Sequence, residues 1–192
     1  ERKQKDMLKS LKTKEKNLLA KQKEQQKKVD ALNKQIEDMI AKQVRTTTTL
    51  TKEQQLIAGG FEANQGRLPW PVEKGYISGY FGKHQHPIHE HVTIDNKGIY
   101  LQTVTGADAR AIYEGEVTWC APMNGNYVVI VQHGNYRSVY SPLKKIYVKQ
   151  GDKLTAKQAI GEIYTNTSED NKTELYFQIY KDRSILNPSL WL

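Results

Sequence analysis

The chain has 192 residues, of which 38% are hydrophobic and 26% charged, enough for one large domain or two small ones. Its net charge of +8 is uneven, because residues 1–45 carry 14 Lys and Arg against 7 Asp and Glu, whereas the remainder carries 15 against 14. The single cysteine, Cys120, excludes an internal disulfide, and we expect it to be a small buried hydrophobic side chain.

The first 45 residues predict one helix. They contain no glycine and no proline, and a heptad pattern of hydrophobic and long polar residues runs through them. Such a pattern is typical of a coiled coil. Polar middle layers weaken the seam, so a single charged and solvated helix remains the alternative. The two heptad positions hold Leu8, Glu15, Gln22, Val29 and Ile36, and Leu11, Leu18, Gln25, Leu32 and Met39.

The basic charge of this arm raises the question of a nucleic-acid partner. Its lysines are mixed with glutamines and acids, it has no aromatic residue to stack on bases, and no nucleic-acid-binding motif occurs. We therefore expect no nucleic-acid binding. Weak attraction to anionic lipid or to acidic wall polymers is the better expectation.

A short helix is predicted after the T-T-T-T-L-T segment. Thr51 is a candidate N-cap, with Glu53 and Gln54 in the first turn. The helix runs from Thr51 to Asn64 and ends at Gly60 or Gly66. The segment R-L-P-W-P-V that follows has two prolines, which favour an extended entry into the next domain. One side of this linking helix carries Leu56, Ile57 and Phe61.

From Gly75 onward the sequence predicts strands. Runs rich in β-branched and aromatic residues are separated by Gly, Asn, Asp and Pro turns, over roughly 120 residues that suffice for one core. The fold class is therefore α+β, with a helical arm followed by a mainly antiparallel all-β domain. The predicted strand runs are 109–119, 127–132, 137–140, 159–164 and 173–180.

The chain end carries the most specific motif. Residues 174–179 read E-L-Y-F-Q-I and are followed by N-P-S-L-W-L. The pair resembles the last strand of the lysostaphin/LytM-type zinc peptidases, where the family reads H-L-H-F-E-I. The resemblance spans roughly residues 69–192. Matching motifs also occur in order at 81–82 with 86–87, at 111–117, in the V-V-I-V-Q-H-G strand that ends at Gly134, and at 148–152 with 160–161.

The resemblance implies that the zinc site of the family is lost in this chain. The family's H-x-x-x-D ligands correspond to Asn96 and Tyr100, and its Y-x-H-L histidine corresponds to Pro142. Its final H-x-H pair, one catalytic and one zinc-binding, corresponds to Glu174 and Tyr176. Catalytic zinc uses about three N, O or S ligands. We therefore expect no cofactor and no hydrolysis of peptidoglycan.

One histidine cluster remains as a possible metal site. The segment His84–His91 holds four of the five histidines, and imidazoles bind transition metals. It is predicted as a loop between strands near residues 77–81 and 98–103, where a solvated or adventitious tract is the alternative to a built site. The fifth histidine, His133, is expected to be structural.

A coiled-coil arm, a linking helix, the R-L-P-W-P-V entry and a ligand-free LytM domain together resemble the EnvC-type murein hydrolase activators, in particular the Bacteroidota version. That resemblance implies a non-catalytic activator of a peptidoglycan amidase in cell division, located in the periplasm or cell envelope, whose coiled coil engages an FtsEX-type membrane complex. Because the chain begins at Glu1, we expect an export signal and more coiled coil to precede it. A non-catalytic peptidoglycan-binding module and a zinc peptidase with relocated ligands are the alternatives.

Two hypotheses concern the former active-site groove. The groove is expected to bind the amidase through tyrosines, which supply contact area with a polar tip. The linking helix is expected either to dock over the groove and inhibit the protein, or to cap an exposed end of the β domain. The predicted groove residues are Asn96, Tyr100, Tyr140, Glu174, Tyr176, Gln178 and Tyr180.

Overall fold

The computed structural model describes residues 2–47, 49–86 and 92–192, which divide into two compact units, Glu1–Lys42 and Gln43–Leu192. The first unit is most of a single helix, α1 (Arg2–Thr46), as the sequence predicts. Leu8, Leu11 and Leu18 are each more than half exposed on it. Pairing of this helix in a coiled coil stays a prediction. Among the described residues, no helix is both long and apolar enough to span a membrane.

The linking helix is confirmed as α2 (Lys52–Ala63). Thr51 forms a full capping box with Gln54, in which the threonine hydroxyl accepts from Gln54 N and the glutamine side chain accepts from Thr51 N. Gly60 lies inside the helix, and the chain leaves it at Asn64, just before Gly66 with φ +75°. The cap explains why a 12-residue helix begins at this point.

The second unit is built on an antiparallel sheet, and the mainly antiparallel fold class is confirmed. The main order of strands is β1-β4-β12-β8-β7-β6-β9, with short strands pairing at the sides. The strands are β1 (Tyr76–Gly79), β2 (Gly82–Gln85), β3 (Thr93–Asn96), β4 (Ile99–Thr103), β5 (Asp108–Arg110), β6 (Gly115–Met123), β7 (Asn126–His133), β8 (Tyr136–Ile146), β9 (Lys153–Leu154), β10 (Ala159–Ile163), β11 (Thr165–Asn166), β12 (Lys172–Lys181) and β13 (Ser184–Leu186).

One face of this sheet carries the hydrophobic core. Because side chains alternate along a strand, β12 sends Leu175, Phe177 and Ile179 into the core. Val129 and Val131 of β7 join them from the middle of the sheet. Cys120 is half-buried and packs against this core, so it is less buried than expected.

The helix α2 closes one end of the core. Phe61 is fully buried and stacks on the rings of His133 and Tyr136, with centroid distances of 5.0 and 4.7 Å. At Gly134, a Cβ atom would lie 2.4 Å from Ala58 Cβ, so the helix approaches the turn after β7 as closely as glycine allows. The helix therefore takes the capping position, and not a position over the former active-site groove.

A second sheet lies between β1 and β4 in sequence. Strands β2 and β3 form a separate two-stranded hairpin, in which His84 pairs with Ile94. The sequence prediction of a loop is therefore wrong for residues 82–85 and 93–96, which pair as strands. His89 and His91 lie outside the described residues.

Candidate functional site

The residues that replace the zinc-site motifs lie mainly on the outer face of the sheet, opposite the core. Along β12, Glu174, Tyr176 and Gln178 alternate with the core residues, and Tyr180 continues the row. Tyr100 of β4 lies directly opposite Tyr176 and therefore on the same face. We call Tyr100, Glu174, Tyr176, Gln178 and Tyr180 the site face.

The centre of the site face is a pair of stacked tyrosines. The ring centroids of Tyr100 and Tyr176 lie 4.6 Å apart with an interplanar angle of 24°. Gly79 on β1 makes room for this pair, because a Cβ atom there would lie 2.8 Å from Tyr100 Cδ2. Two side chains that stand at zinc-ligand positions by motif therefore contact each other, at a separation suited to ring stacking.

The two amide side chains near this pair hold the backbone in place. Asn96 is buried, and its Nδ2 donates to the carbonyl oxygen of Tyr80 at 2.8 Å. Gln178 is fully buried, and its Nε2 donates at 3.4 Å to the Tyr176 hydroxyl and at 3.5 Å to Lys97 O. The bond from Gln178 to Lys97 links β12 to the turn between β3 and β4, which carries the first lost ligand motif, and the bond from Asn96 links the end of β3 to Tyr80.

Glu174, at the position of the lost catalytic histidine, has two partners of its own. Ser78 Oγ donates to Glu174 Oε2 at 2.6 Å, and Lys172 Nζ lies 3.2 Å from the same oxygen. The carboxylate side chain is 20% exposed. It is therefore tied into a local network at the β1 side of the site face.

The prediction that Tyr140 belongs to the groove is wrong. Tyr140 pairs with Phe177 and lies in the hydrophobic core, where its hydroxyl accepts from Ile112 N at 3.2 Å. Burial raises the pKa of the Tyr140 hydroxyl well above its ordinary value. Pro142 comes two residues later on β8, next to Ser141, which lies opposite Tyr176. Ser141 therefore borders the site face, whereas Tyr140 does not.

Much of the site face is closed in this structure. Tyr176 is 3% exposed, Gln178 0% and Tyr180 1%. The accessible part lies toward β1, where Tyr100 is half-buried and Tyr76 is 59% exposed. The open surface is therefore narrower than the predicted groove and shifted to residues that the sequence interpretation did not name.

A polar cluster borders the Tyr180 end of the site face. Arg137 lies opposite Tyr180 in the sheet, and its Nε donates to Gln43 Oε1 at 3.1 Å. Thr118 Oγ1 donates to the same oxygen at 3.3 Å. Burial lowers the pKa of Arg137, which is 2% exposed, and a buried guanidinium needs such hydrogen-bond acceptors to offset its lost solvation. Gln43 was not predicted, because it carries no motif.

The histidines take separate roles. His133 is fully buried, with Nδ1 donating to Glu114 O at 2.7 Å and Nε2 2.7 Å from Ser138 Oγ, which supports the structural role expected for it. His84 Nδ1 lies 3.2 Å from Gly82 O in the hairpin. Within the described part of the chain, no group of three or more His, Cys, Asp or Glu side chains is arranged to hold a metal ion.

Comparison with known proteins identifies the family of this β domain. The sequence profile of Peptidase family M23 matches residues 94–188, a range that includes all five degenerate zinc-site positions. The β domain belongs to peptidase family M23. This confirms the LytM-type resemblance at the level of the family. The EnvC-type assignment within that family remains a proposal.

Individual relatives agree with the family match. An uncharacterized protein of Neisseria meningitidis is 34% identical over 137 residues, which cover 70% of this chain and 22% of the relative. Stage II sporulation protein Q of Bacillus subtilis is 38% identical over 99 residues, which cover 48% of this chain and 35% of the relative. This chain thus spans about a third or less of the length of these relatives.

A solved structure shows the same fold. A chain from the SpoIIQ–SpoIIIAH pore-forming complex has a TM-score of 0.55 and 26% identity, over 67% of this chain and 92% of that chain. An M23-like domain is therefore known in a complex with a protein partner.

The zinc content of the protein tests the interpretation of the stacked tyrosines. We expect the purified protein to hold no stoichiometric zinc, and the triple variant Asn96→His, Tyr100→Asp, Tyr176→His to gain about one zinc per chain, because it restores three ligands of the preferred types. Elemental analysis after dialysis measures both. One zinc in the unmodified protein, lost on removal of His84, His89 and His91, would instead support relocated ligands.

Proposed function

We propose that this chain is a non-catalytic activator of a cell-wall amidase, which it binds through the site face, in cell division and daughter-cell separation. It acts in the periplasm or cell envelope, where α1 engages an FtsEX-type membrane complex. The stacked Tyr100–Tyr176 pair is the observation that carries this proposal. Two aromatic rings occupy positions where a hydrolase of this family needs an imidazole and a carboxylate, so the surface is suited to contact and not to metal chemistry.

The relatives support a binding role for such a domain. The SpoIIQ–SpoIIIAH structure shows a similar fold, at 26% identity, in an assembly with another protein. Tyrosine is one of the residues enriched among interface hot spots, since it combines area with a hydrogen-bonding tip. Tyr100, with Tyr76 beside it, offers this combination on the accessible part of the surface.

A second candidate is a non-catalytic peptidoglycan-binding module. It is favoured by two exposed tyrosines, Tyr76 at 59% and Tyr80 at 62%, and by the hydrogen bond of Tyr76 to Gln102, which lies opposite Glu174. Exposed rings beside hydrogen-bonding groups also suit a glycan. Co-sedimentation of the full chain with insoluble peptidoglycan, without any amidase, distinguishes this candidate from the first.

Tyr100→Ala is expected to weaken binding of the activated amidase by about 2 kcal/mol, or roughly 30-fold in Kd, by the norm for a hot spot. The partner is sought among purified peptidoglycan amidases from the same genome, and binding is measured by calorimetry. Tyr147→Ala is the matched control, since Tyr147 is 49% exposed, outside the site face. Equal losses in the two variants would contradict a specific role for the site face.

We propose further that the protein is self-inhibited, because Tyr176, Gln178 and Tyr180 are closed here. We propose that Gln43, and not the linking helix, helps to hold this closed form. Gln43 is the shared acceptor of Arg137 and Thr118 at the Tyr180 end of the face. In the open form Tyr176, Gln178 and Tyr180 would be accessible to the partner. Lowering the free energy of the open form by about 1.4 kcal/mol relative to the closed form would raise the apparent affinity for the partner about tenfold.

Gln43→Ala is therefore expected to raise the apparent affinity for the amidase roughly tenfold, because Arg137 and Thr118 lose a common acceptor. Dose–response curves of amidase activation measure this change. Gln26→Ala is the matched control, since Gln26 also lies on α1 but bonds only locally, to Asp30 at 2.9 Å. An unchanged or weaker affinity in Gln43→Ala would argue against this mode of inhibition.

A further inference from the structure

We propose that Arg137 and Thr118 form a binding site for a carboxylate of the partner amidase, and that the Gln43 side chain occupies this site in the closed form. This proposal rests on the proposed function, because it names the group of the partner that displaces Gln43. Two donors converge on one acceptor, since Arg137 Nε lies 3.1 Å and Thr118 Oγ1 3.3 Å from Gln43 Oε1. A carboxylate oxygen at the position of this amide oxygen would accept both hydrogen bonds.

The guanidinium of Arg137 has no carboxylate partner in the described part of the chain. Arg137 is 2% exposed, and none of the ion pairs among the described residues includes it. Burial lowers its pKa, and attraction by Asp182, which acts to raise that pKa, is weaker. Asp182 Oδ2 accepts a hydrogen bond from Asn135 at 3.4 Å. Because charge-assisted hydrogen bonds are about twice as strong as neutral ones, a carboxylate is a better acceptor for this guanidinium than the Gln43 amide.

The Gln43 amide indicates which side chain fits the site. Glutamate has the length and shape of glutamine, with an oxygen in place of the amide nitrogen. That nitrogen, Nε2, lies 3.5 Å from Thr118 O, at the limit of a hydrogen bond, so the two donors dominate the site. Gln132, which lies opposite Arg137 on β7, donates to Gly134 O at 2.7 Å, so its amide is engaged elsewhere. The occupant is therefore a glutamate side chain of the partner.

The position of the site connects it to the site face. Arg137 lies opposite Tyr180, so a glutamate bound to it holds the partner next to the row of tyrosines. Arg137 is already withdrawn from water in the closed form, and binding therefore adds only the desolvation of the glutamate. Gln43 and the partner's glutamate compete for the same two donors, which makes Gln43 an internal competitor of the partner.

Two substitutions of Gln43 with opposite expected effects test the competition in the full chain. Gln43→Glu presents a carboxylate to the same donors, so the apparent affinity for the amidase should fall roughly tenfold, whereas Gln43→Ala should raise it. A residue that only filled space would give a rise in both variants. Gln35→Glu is the matched control, since Gln35 is exposed on α1 and undergoes the same change of charge, and its affinity should stay unchanged. Calorimetry with the amidase measures all three.

Acetate tests the site without any amidase. In the full chain with Gln43→Ala, acetate should shift the NMR signal of Arg137 Nε–H and saturate at a concentration roughly tenfold below that of acetamide, its neutral isostere, at equal ionic strength. Arg110 is the internal control, because its Nε already donates to Trp70 O at 2.9 Å and its signal should not respond. Thr118→Val removes the second donor and keeps the shape of the side chain, so it should weaken acetate binding.

The outcomes separate this proposal from the activator function. Saturable binding of acetate, when no amidase binds the chain, supports the carboxylate site and counts against the activator function. Amidase binding that Gln43→Glu and Gln43→Ala strengthen alike overturns the carboxylate site and leaves the activator function standing. Equal responses to acetate and acetamide would also overturn it, as would competition with acetate by soluble muropeptides and not by the amidase.

Discussion

Phe61→Ala is expected to lower the free energy of unfolding of the β domain by about 3–5 kcal/mol, the range for removal of a buried aromatic ring. The ring is fully buried and contacts four other rings. Its loss leaves a cavity under α2 that the sheet cannot fill, because Gly134 already brings the helix as close as its backbone permits. Chemical denaturation followed by near-ultraviolet circular dichroism measures the change. The contacted rings are those of Tyr113, His133, Tyr136 and Trp191.

Leu56→Ala is the matched control, since Leu56 lies on the same helix but is 78% exposed. Its effect should stay within about 0.5 kcal/mol, as for most surface substitutions. Similar losses in Phe61→Ala and Leu56→Ala would contradict the position of α2 as a cap on the core. The same reasoning predicts that a chain starting near Gly66 loses stability, so that truncation is a poor test of inhibition and Gln43→Ala is a better one.

Acid is expected to destabilise the domain through His133. Burial lowers the pKa of His133 from 6.5 to about 4, although its hydrogen bond to Glu114 acts to raise it. Between these values the unfolded chain binds a proton that the folded chain does not, so stability falls as the pH drops from 6.5 to 4. The loss reaches about 3 kcal/mol at the acid end, by 1.36 kcal/mol per pKa unit.

Urea denaturation at pH 7 and at pH 4.5, compared between the unmodified protein and His133→Gln, isolates this contribution. Glutamine can donate and accept but does not titrate, so the variant should lose clearly less stability across the same range. The variant will be less stable at pH 7, and only its pH dependence is diagnostic. An identical pH dependence in the two proteins would show that His133 already accepts a proton in the fold.

The helices and most strands were predictable because their signals are local. The capping box at Thr51 and the absence of glycine before Arg45 can be read directly from the sequence, and both helices follow. The loss of zinc ligands was equally readable, since a side-chain type at a motif position needs no geometry. The family match over residues 94–188 includes those motif positions, and the absence of zinc stays a prediction for elemental analysis.

The sequence predictions that failed concern features that depend on contacts between residues far apart in the chain. Tyr140 and Tyr176 both follow family motifs, but the register of β8 with β12 places Tyr176 opposite Ser141 and turns Tyr140 to the core. A shift of one residue reverses the face, and motif spacing alone does not fix it. The position of α2 depends on space at Gly134, and the exposed Tyr76 and the acceptor Gln43 carry no motif at all.

Release of dye from labelled peptidoglycan by purified proteins is the most direct test of the central claim. The chain alone should release no dye with or without added zinc, and a partner amidase should release several-fold more dye with the chain than without it. Zinc-dependent release by the chain alone, abolished by a chelator, would contradict the account.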